Sequence, residues 1–268
     1  MRTSVNIGDT ELSVWQQGSG RPLVLIHGFP MDGRLWLDGP AVPAADRCRT
    51  IVPDMRGFGE SPATTLTMSP AAMADDIARL LDSLEIDEPI VLGGLSMGGY
   101  VALAFHQGYA DRLAGLILCD TRAEADPPEM KENRRRTAES VLNDGPEAMV
   151  RGMAEKLAAP VTISGRQEIV DRLVEMGIAQ SRQGIASAAL GMAERLDMTE
   201  QLPSINVPTL LVVGDSDGLT PPKLMGEMAA AIGDNARLVE IPQAGHIAPM
   251  EQPELVREAI DEFLAEIA

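Results

Sequence analysis

The segment PIVLGGLSMGGYVALAFHQ, from Pro89 to Gln107, places one serine among four glycines between two apolar runs. The first run is short and almost wholly apolar, which is typical of a buried strand, and the second is long enough for a buried helix. Because glycine has no Cβ, the turn between them can be sharp and the helix can pack closely on its neighbours. Such a turn exposes the Ser96 hydroxyl at the carboxyl edge of the sheet, where ligands of open α/β sheets bind.

The remainder of the chain repeats this alternation of strand and helix. Helical patterns, several with proline near their first turn, separate the apolar runs. The alternation predicts an α/β fold with a mostly parallel sheet and helices on both faces. The runs expected to form strands are ELSVWQQ, RPLVLIHG, RCRTIVPD, PIVLGGLS, LAGLILCD, PTLLVVGD and ARLVEIP.

Residues 121–200 contain no run typical of a strand and instead show four helical patterns. We predict a helical cap there, inserted between the sixth and seventh strands of a core formed by residues 1–120 and 201–268. Apolar residues recur at helical spacing in the cap, for example Met149, Met153 and Leu157. Ser164 followed by Gln167 matches a capping box.

Composition limits the classes of protein that fit. The 22 basic and 40 acidic residues give a net charge of 22 − 40 = −18, which makes nucleic-acid or membrane partners improbable. The first residues lack the apolar core of a signal peptide, so we expect a soluble, cytoplasmic protein. Cys48 and Cys119 lie in apolar runs and are expected to be buried, reduced thiols. The sequence contains no metal-binding or cofactor motif, so we expect neither a metal nor a cofactor. It is compatible with both a monomer and a homo-oligomer.

A serine hydroxyl needs a base to become a good nucleophile, and the chain has only three histidines. His106 falls inside the helix that follows Ser96, and His27 ends a strand. His246 lies in a loop rich in proline and glycine near the C-terminus, where it is the best candidate base. The residue that orients this base should be a carboxylate at the end of a strand, and Asp120, Asp215 and Asp217 all qualify.

Five blocks along the chain, HGFPMDGRLW, DMRGFGES, GGLSMGG, VVGDSDGLTPP and AGHIAPMEQP, resemble the α/β hydrolases of the esterase, enol-lactonase and non-haem perhydrolase group. The resemblance implies Ser96 as nucleophile, His246 as base and Asp217 as acid, with Asp120 at the alternative acid position. It implies the mostly parallel, eight-stranded sheet of the α/β-hydrolase fold and an oxyanion hole formed by the backbone amides of Phe29 and Met97. His27, Asp54 and Arg56 would then be structural.

The resemblance favours a carboxylesterase for small or medium acyl esters, without cofactor or metal. The alternatives are a lactonase of the 3-oxoadipate enol-lactonase type, a perhydrolase side activity, or a receptor that binds a ligand without turnover. We expect Gly28, Trp36, Tyr100, Met149 and Met153 to contact the substrate. The charge of −18 predicts a preference for neutral substrates unless Arg122 or Arg166 turns inward. Arg134, Arg135 and Arg136 are expected to be mostly solvated.

Overall fold

A computed structural model of the chain describes residues 1–267; Ala268, the last residue of the predicted core segment 201–268, lies outside the described residues. Its eight-stranded sheet has the order β1-β2-β4-β3-β5-β6-β7-β8, with β1 and β2 antiparallel to their neighbours and all other pairs parallel. This confirms the predicted fold class. The strands are β1 Arg2–Asn6, β2 Glu11–Gln17, β3 Pro22–Ile26, β4 Arg49–Pro53, β5 Ile90–Leu95, β6 Leu113–Cys119, β7 Thr209–Gly214 and β8 Ala236–Ile241.

Helices cover both faces of the sheet, as continuously apolar central strands require. Side chains that alternate along β3 enter different cores: Val24 packs with residues of α2, α3 and α9, whereas Leu23 packs with residues of α1 and α11. Ser69 caps the N-terminus of α2, and Pro70 follows at its first turn. The helices of the core are α1 Arg34–Leu37, α2 Pro70–Ser83, α3 Met97–Tyr109, α9 Pro222–Ile232, α10 Ala248–Glu251 and α11 Pro253–Glu266.

Five α-helices and a short 3-10 helix, Thr199–Ser204, lie between β6 and β7, and we refer to the five α-helices of this insertion as the cap. Within this cap, α4 packs against α8 and α5 against α7. Ser181 caps α8 by accepting a hydrogen bond from the Gly184 amide at 2.9 Å. The cap helices are α4 Pro128–Asp144, α5 Glu147–Leu157, α6 Pro160–Gly165, α7 Gln167–Ile178 and α8 Arg182–Ala193.

The structure corrects three local expectations. Strand β1 was missed because its side chains are exposed or half-buried and give no apolar pattern. Helix α6 was missed because it has only six residues. The predicted capping box is wrong: Ser164 lies inside α6 and donates to the carbonyl of Val161, and α7 begins without a side-chain cap.

Two further expectations concern the thiols and membrane helices. Cys48 and Cys119 are both buried and free, as predicted. Among residues 1–267, none of the helices combines the length and the apolar character needed to cross a membrane.

Candidate active site

Ser96 occupies the sharp turn between β5 and α3. Its backbone has φ 53° and ψ −108°, a conformation that non-glycine residues adopt at a cost of about 1–3 kcal/mol. The turn is held on one side by the Ser96 amide, which donates to the Cys119 carbonyl at 2.9 Å, and on the other by the Thr121 hydroxyl, which donates to the Ser96 carbonyl at 2.8 Å. A Cβ on Gly98 would lie 2.5 Å from the Ile26 carbonyl oxygen, so only glycine permits this close approach.

Asp217 and His246 form a buried pair at the ends of β7 and β8. The two side chains meet at 2.8 Å between Asp217 Oδ2 and His246 Nδ1. A carboxylate accepts, so the proton of the neutral ring is assigned to Nδ1 and Nε2 is left as its lone-pair nitrogen. The His246 ring makes no hydrogen bond to Ser96 within residues 1–267, although both residues line one cavity.

Hydrogen bonds keep the Asp217 carboxylate ionised. Burial alone would raise the pKa of Asp217, but the hydrogen bond and charge of His246 and the hydrogen bonds from Thr220 lower it below its ordinary value. Asp217 Oδ1 accepts the backbone amides of Leu219 at 2.7 Å and Thr220 at 3.0 Å, while the Thr220 hydroxyl donates to Oδ2. An acceptor with four donors is fixed in direction as well as in charge.

The other two carboxylate candidates are placed differently. Asp215 is an exposed loop residue that accepts from the Ser216 hydroxyl. Asp120 is fully buried, accepts the Gly214 amide at 2.8 Å through Oδ1, and has no partner within residues 1–267 for Oδ2. Burial and the neighbouring Asp217 carboxylate raise the pKa of Asp120 well above its ordinary value, which favours its protonated form.

The amides expected to form the oxyanion hole are both unoccupied donors. Within residues 1–267, neither the Phe29 nor the Met97 backbone N–H donates a hydrogen bond. Met97 is the first residue of α3, where backbone N–H groups lack intrahelical partners. Phe29 lines the same cavity as Ser96. Two free amides, one at the residue after the half-buried Ser96 and one at the same cavity, are the donors that an oxyanion would require.

The residues expected to be structural brace the surrounding loops. The His27 ring links two of them: Nε2 accepts the Met55 amide at 3.0 Å, and Nδ1 lies 2.9 Å from the Gly28 carbonyl. Asp54 accepts the Gly33 amide at 2.8 Å and pairs with Arg2. The Arg56 side chain pairs with Asp76 and Asp9, which raises its pKa further. His106 is half-buried on α3 and its pKa is lowered by burial.

A cavity of about 290 Å³ lies between the sheet and the cap. It reaches Ser96 and His246, and its cap side is rich in methionine, a flexible apolar residue that adapts to different ligands. Of the predicted substrate contacts, Tyr100, Met149 and Met153 line this cavity. The other lining residues include Phe29, Arg122, Asp126, Met130, Arg134, Lys156, Leu157, Met192, Leu219 and Thr220.

Gly28 and Trp36 were expected to contact the substrate, and the structure corrects both. Trp36 belongs to α1 and is fully buried in the core on the opposite side of the sheet from α2 and α3. Gly28 packs against the Leu95 and Met31 side chains, where an added Cβ would lie 2.6 Å and 2.9 Å from their atoms. Neither residue lines the cavity.

Several arginines of the cap region are placed differently from what the sequence predicted. Arg134 is one-fifth exposed, pairs with Asp126 and lines the cavity, whereas its neighbours Arg135 and Arg136 are solvated as predicted. Arg122 lines the cavity, and its guanidinium donates to the Leu219 carbonyl. Arg166 does not line the cavity: its guanidinium donates to the Glu251 carbonyl and to Thr162, so it joins the cap to α10.

Buried hydrogen bonds connect the loop that carries His246 to the cap. The His246 amide donates to the Leu157 carbonyl at 2.7 Å. Glu251, which is 1% exposed, accepts the Ala159 amide at 2.8 Å and the Gly245 amide at 2.6 Å. The junction of α5 and α6 and the His246 loop are thus held as one unit.

The sequence alone did not indicate that Thr220 and Glu251 belong to this arrangement. Thr220 follows Asp217 by three residues in DSDGLTPP, and a hydroxyl at that spacing after an aspartate is the only local signal for its role. Glu251 follows His246 by five residues, and its partner Ala159 is 92 residues away. Only the folded chain reveals that contact.

Comparison with known proteins places the chain in a family. Residues 21–253 match the family model described as alpha/beta hydrolase fold, so the chain belongs to the α/β-hydrolase fold family. It is 46% identical to a thermophilic esterase from Thermogutta terrifontis solved with malate bound, with a TM-score of 0.95 and coverage of 100% of this chain and 99% of that one.

Two other relatives show how the activities diverge. The enol-lactonase from Burkholderia xenovorans LB400 is 26% identical, with a TM-score of 0.87 over 99% of this chain and 100% of that one. A non-heme haloperoxidase from Rhodococcus erythropolis is 29% identical over 88% of this chain and 89% of its own length. The chain is therefore a hydrolase of this fold, in a family whose members differ in reaction.

Proposed function

We propose that this protein is a serine hydrolase that cleaves small to medium carboxylic esters through an acyl-serine intermediate. The observation that carries the proposal is the Asp217–His246 hydrogen bond of 2.8 Å, with Ser96 and His246 lining one cavity. The two unoccupied amides of Phe29 and Met97 add to its support. A cavity of about 290 Å³ is near the lower limit of small-molecule sites, which favours a small substrate.

Each step of the reaction follows from these groups. Ser96 Oγ attacks the ester carbonyl carbon while His246 Nε2 takes its proton, and Asp217 stabilises the resulting imidazolium. The Phe29 and Met97 amides bind the oxyanion, a contribution of roughly 3 kcal/mol for each donor. When the tetrahedral intermediate collapses, the C–O bond to the alcohol breaks and His246 returns the proton to the leaving oxygen.

Water completes the cycle. His246 Nε2 takes a proton from the water molecule as its oxygen attacks the acyl-serine carbonyl, and a second oxyanion forms on the same amides. Breakdown of that intermediate releases the carboxylic acid and returns the proton to Ser96. The site residues need no metal or cofactor for either half of this reaction.

A series of p-nitrophenyl esters with Ser96→Ala as the blank tests the proposal. We expect hydrolysis by the wild-type protein and none above background by the variant. Between acetate and longer acyl groups, kcat/KM should rise by up to about fourfold per methylene, from about 0.8 kcal/mol of burial each, and then fall once the cavity is full. Equal rates for wild type and Ser96→Ala would refute a serine mechanism, and binding without turnover would support a receptor.

Lactone hydrolysis is the second candidate, and the charge of the cavity favours it. Its lining holds three cationic side chains and one carboxylate, a balance suited to a carboxylated lactone. The similarity to an enol-lactonase supports the same reading. The same serine, histidine and oxyanion donors would open a lactone, because it is an internal ester. Measuring ring opening of carboxylated and neutral lactones beside the ester series separates the two candidates.

A further inference from the structure

The cavity is positive although the chain as a whole is strongly negative. Three of its lining residues are cations, Arg122, Arg134 and Lys156, and one is a carboxylate, Asp126. Asp126 is itself neutralised twice, by Arg134 and by Arg195 at 2.7 Å. Of the residues the structure describes, none places a carboxylate within 4.0 Å of the Arg122 or Lys156 side chain.

Arg122 is the lining cation that bonds to the loop carrying Asp217 and has no carboxylate partner among the described residues. It follows Thr121, whose hydroxyl binds the Ser96 carbonyl, and its guanidinium donates to the carbonyl of Leu219. The Leu219 amide in turn donates to Asp217. Arg122 is therefore attached to the loops of both the nucleophile and the acid. Lys156, by contrast, is an exposed residue of α5.

Most of the hydrogen-bond donors of Arg122 have no protein acceptor among residues 1–267 and could bind an anion. Arginine presents five donors in a planar fork, and the structure gives Arg122 a single protein acceptor. A carboxylate matches that fork with two parallel hydrogen bonds, which are stronger than bonds between neutral groups. In a chain with 18 more acidic than basic residues, an arginine without a carboxylate partner at the reacting cavity is a local reversal of charge.

We propose that the preferred substrates are esters whose acyl part carries a free carboxylate, and that Arg122 determines this specificity by binding it. The proposal rests on the proposed function, whose site it uses. It reverses the expectation, drawn from net charge alone, that neutral esters are preferred. Half-esters of short dicarboxylic acids fit the size of the cavity, and their one carboxylate matches the guanidinium of Arg122.

Two substrates that differ only in charge give the sharpest test. Monoethyl glutarate carries a carboxylate where ethyl glutaramate carries a neutral carboxamide of nearly the same shape. We expect the wild-type protein to hydrolyse the half-ester with the higher kcat/KM, and we define specificity as the ratio of the two values. Because both substrates use the same serine, any general damage to the site cancels in this ratio.

Three variants locate the source of the specificity. We expect Arg122→Gln to lower the ratio by about tenfold to a hundredfold, the range for one charged hydrogen-bonded contact, and Arg122→Lys to retain part of it. Arg136→Gln is the matched control, since it removes the same charge from an exposed cap residue that does not line the cavity. Its ratio should stay at the wild-type value.

The outcomes separate this proposal from the proposed function. A wild-type ratio of one or below, or a ratio that Arg122→Gln leaves unchanged, overturns the role of Arg122. If no ester is hydrolysed at all, the proposed function fails instead, and calorimetry of Ser96→Ala with each compound still tests recognition. There we expect monoethyl glutarate to bind more tightly than ethyl glutaramate, with the difference lost in Ser96→Ala/Arg122→Gln; equal affinities would overturn the proposal.

Discussion

Asp120 shows how one buried residue couples stability to pH. Burial and the Asp217 carboxylate raise its pKa in the folded protein, so the folded state keeps a proton that the unfolded state has lost above about pH 4. Stability should therefore fall as pH rises from the ordinary pKa of aspartate to the raised one, by about 1.4 kcal/mol per pH unit. Asp120→Asn, which cannot ionise, should remove this loss.

Urea unfolding of wild type and Asp120→Asn from pH 5 to pH 8 measures this effect. The difference in unfolding free energy between the two proteins should grow with pH in favour of the variant. Curves that stay parallel across this range would show that Asp120 is ionised in the folded protein.

Single substitutions also distinguish Asp217 from Asp120 as the catalytic acid. Asp217→Asn should hold His246 in the wrong tautomer and lower kcat by about four orders of magnitude. Asp120→Asn should change kcat by only a few fold, because Asp120 makes no hydrogen bond to His246. Steady-state kinetics on one p-nitrophenyl ester compares the two. The reverse order of effects would move the acid from the end of β7 to the end of β6.

The sequence predicts some of these residues much better than others. Ser96 carries its own signal, since glycines on both sides demand a sharp turn, and His246 emerges because the chain has three histidines. Asp217 could not be separated from Asp120 and Asp215 without the resemblance, because all three end apolar strands. Trp36 was misplaced because an aromatic residue close in sequence to a predicted loop gives no indication of which core it enters.

At the scale of elements, Glu251 joins α10 to the cap and to the His246 loop. Glu251→Gln would keep one acceptor oxygen but turn an NH₂ group towards a buried backbone N–H. We expect a loss of about 1–3 kcal/mol in unfolding free energy and a lower kcat with little change in KM, because the His246 loop loses its support. Glu258→Gln, the same change at an exposed position in the middle of α11, is the control and should alter neither quantity. Wild-type kcat in Glu251→Gln would show that the loop is positioned without it.

Helix α8 docks on the core through a close backbone contact at Gly184. A Cβ there would lie 1.9 Å from the Gly57 carbonyl oxygen, so Gly184→Ala must displace backbone and should cost at least about 1–3 kcal/mol of stability. Gly152→Ala on α5, where an added Cβ meets nothing within 4 Å, should instead stabilise by about 0.5–1 kcal/mol. Urea unfolding of both variants decides the matter. Equal stability of the two would contradict the close packing of α8.

Elements differed in how far the sequence predicted them. The central strands were found because both of their faces are covered, which leaves continuous apolar runs. Strand β1 lies at the edge and α6 is short, so neither generates a period long enough to detect. The capping box at Ser164 failed because α6 occupies the residues that would have formed the cap.

The net charge of −18 affects the stability of the whole folded chain. Excess like charge repels itself in the compact state, and salt screens that repulsion. We expect the thermal midpoint at pH 7.5 to rise by a few degrees between about 10 mM and 300 mM sodium chloride. A falling midpoint would mean that the ion pairs of the surface outweigh the net repulsion.

The net charge of the chain does not, however, predict the sign of the charged residues that line the cavity. It counts every residue equally, whereas the sign at the reacting centre depends on a few side chains that the fold brings together. Arg122, Arg134 and Lys156 come from different segments of the cap region, and nothing in their spacing predicts a shared wall. The sequence could name Arg122 as a possible clamp but could not decide its direction.

The proposed mechanism requires Ser96 to be a nucleophile that His246 and Asp217 activate. Intact-mass spectrometry after reaction with a fluorophosphonate reports this reactivity without any choice of substrate. We expect one adduct per chain, located on Ser96, absent in Ser96→Ala and formed far more slowly in His246→Ala. An adduct of the same stoichiometry on Ser96→Ala, or an unlabelled wild-type protein, would contradict it.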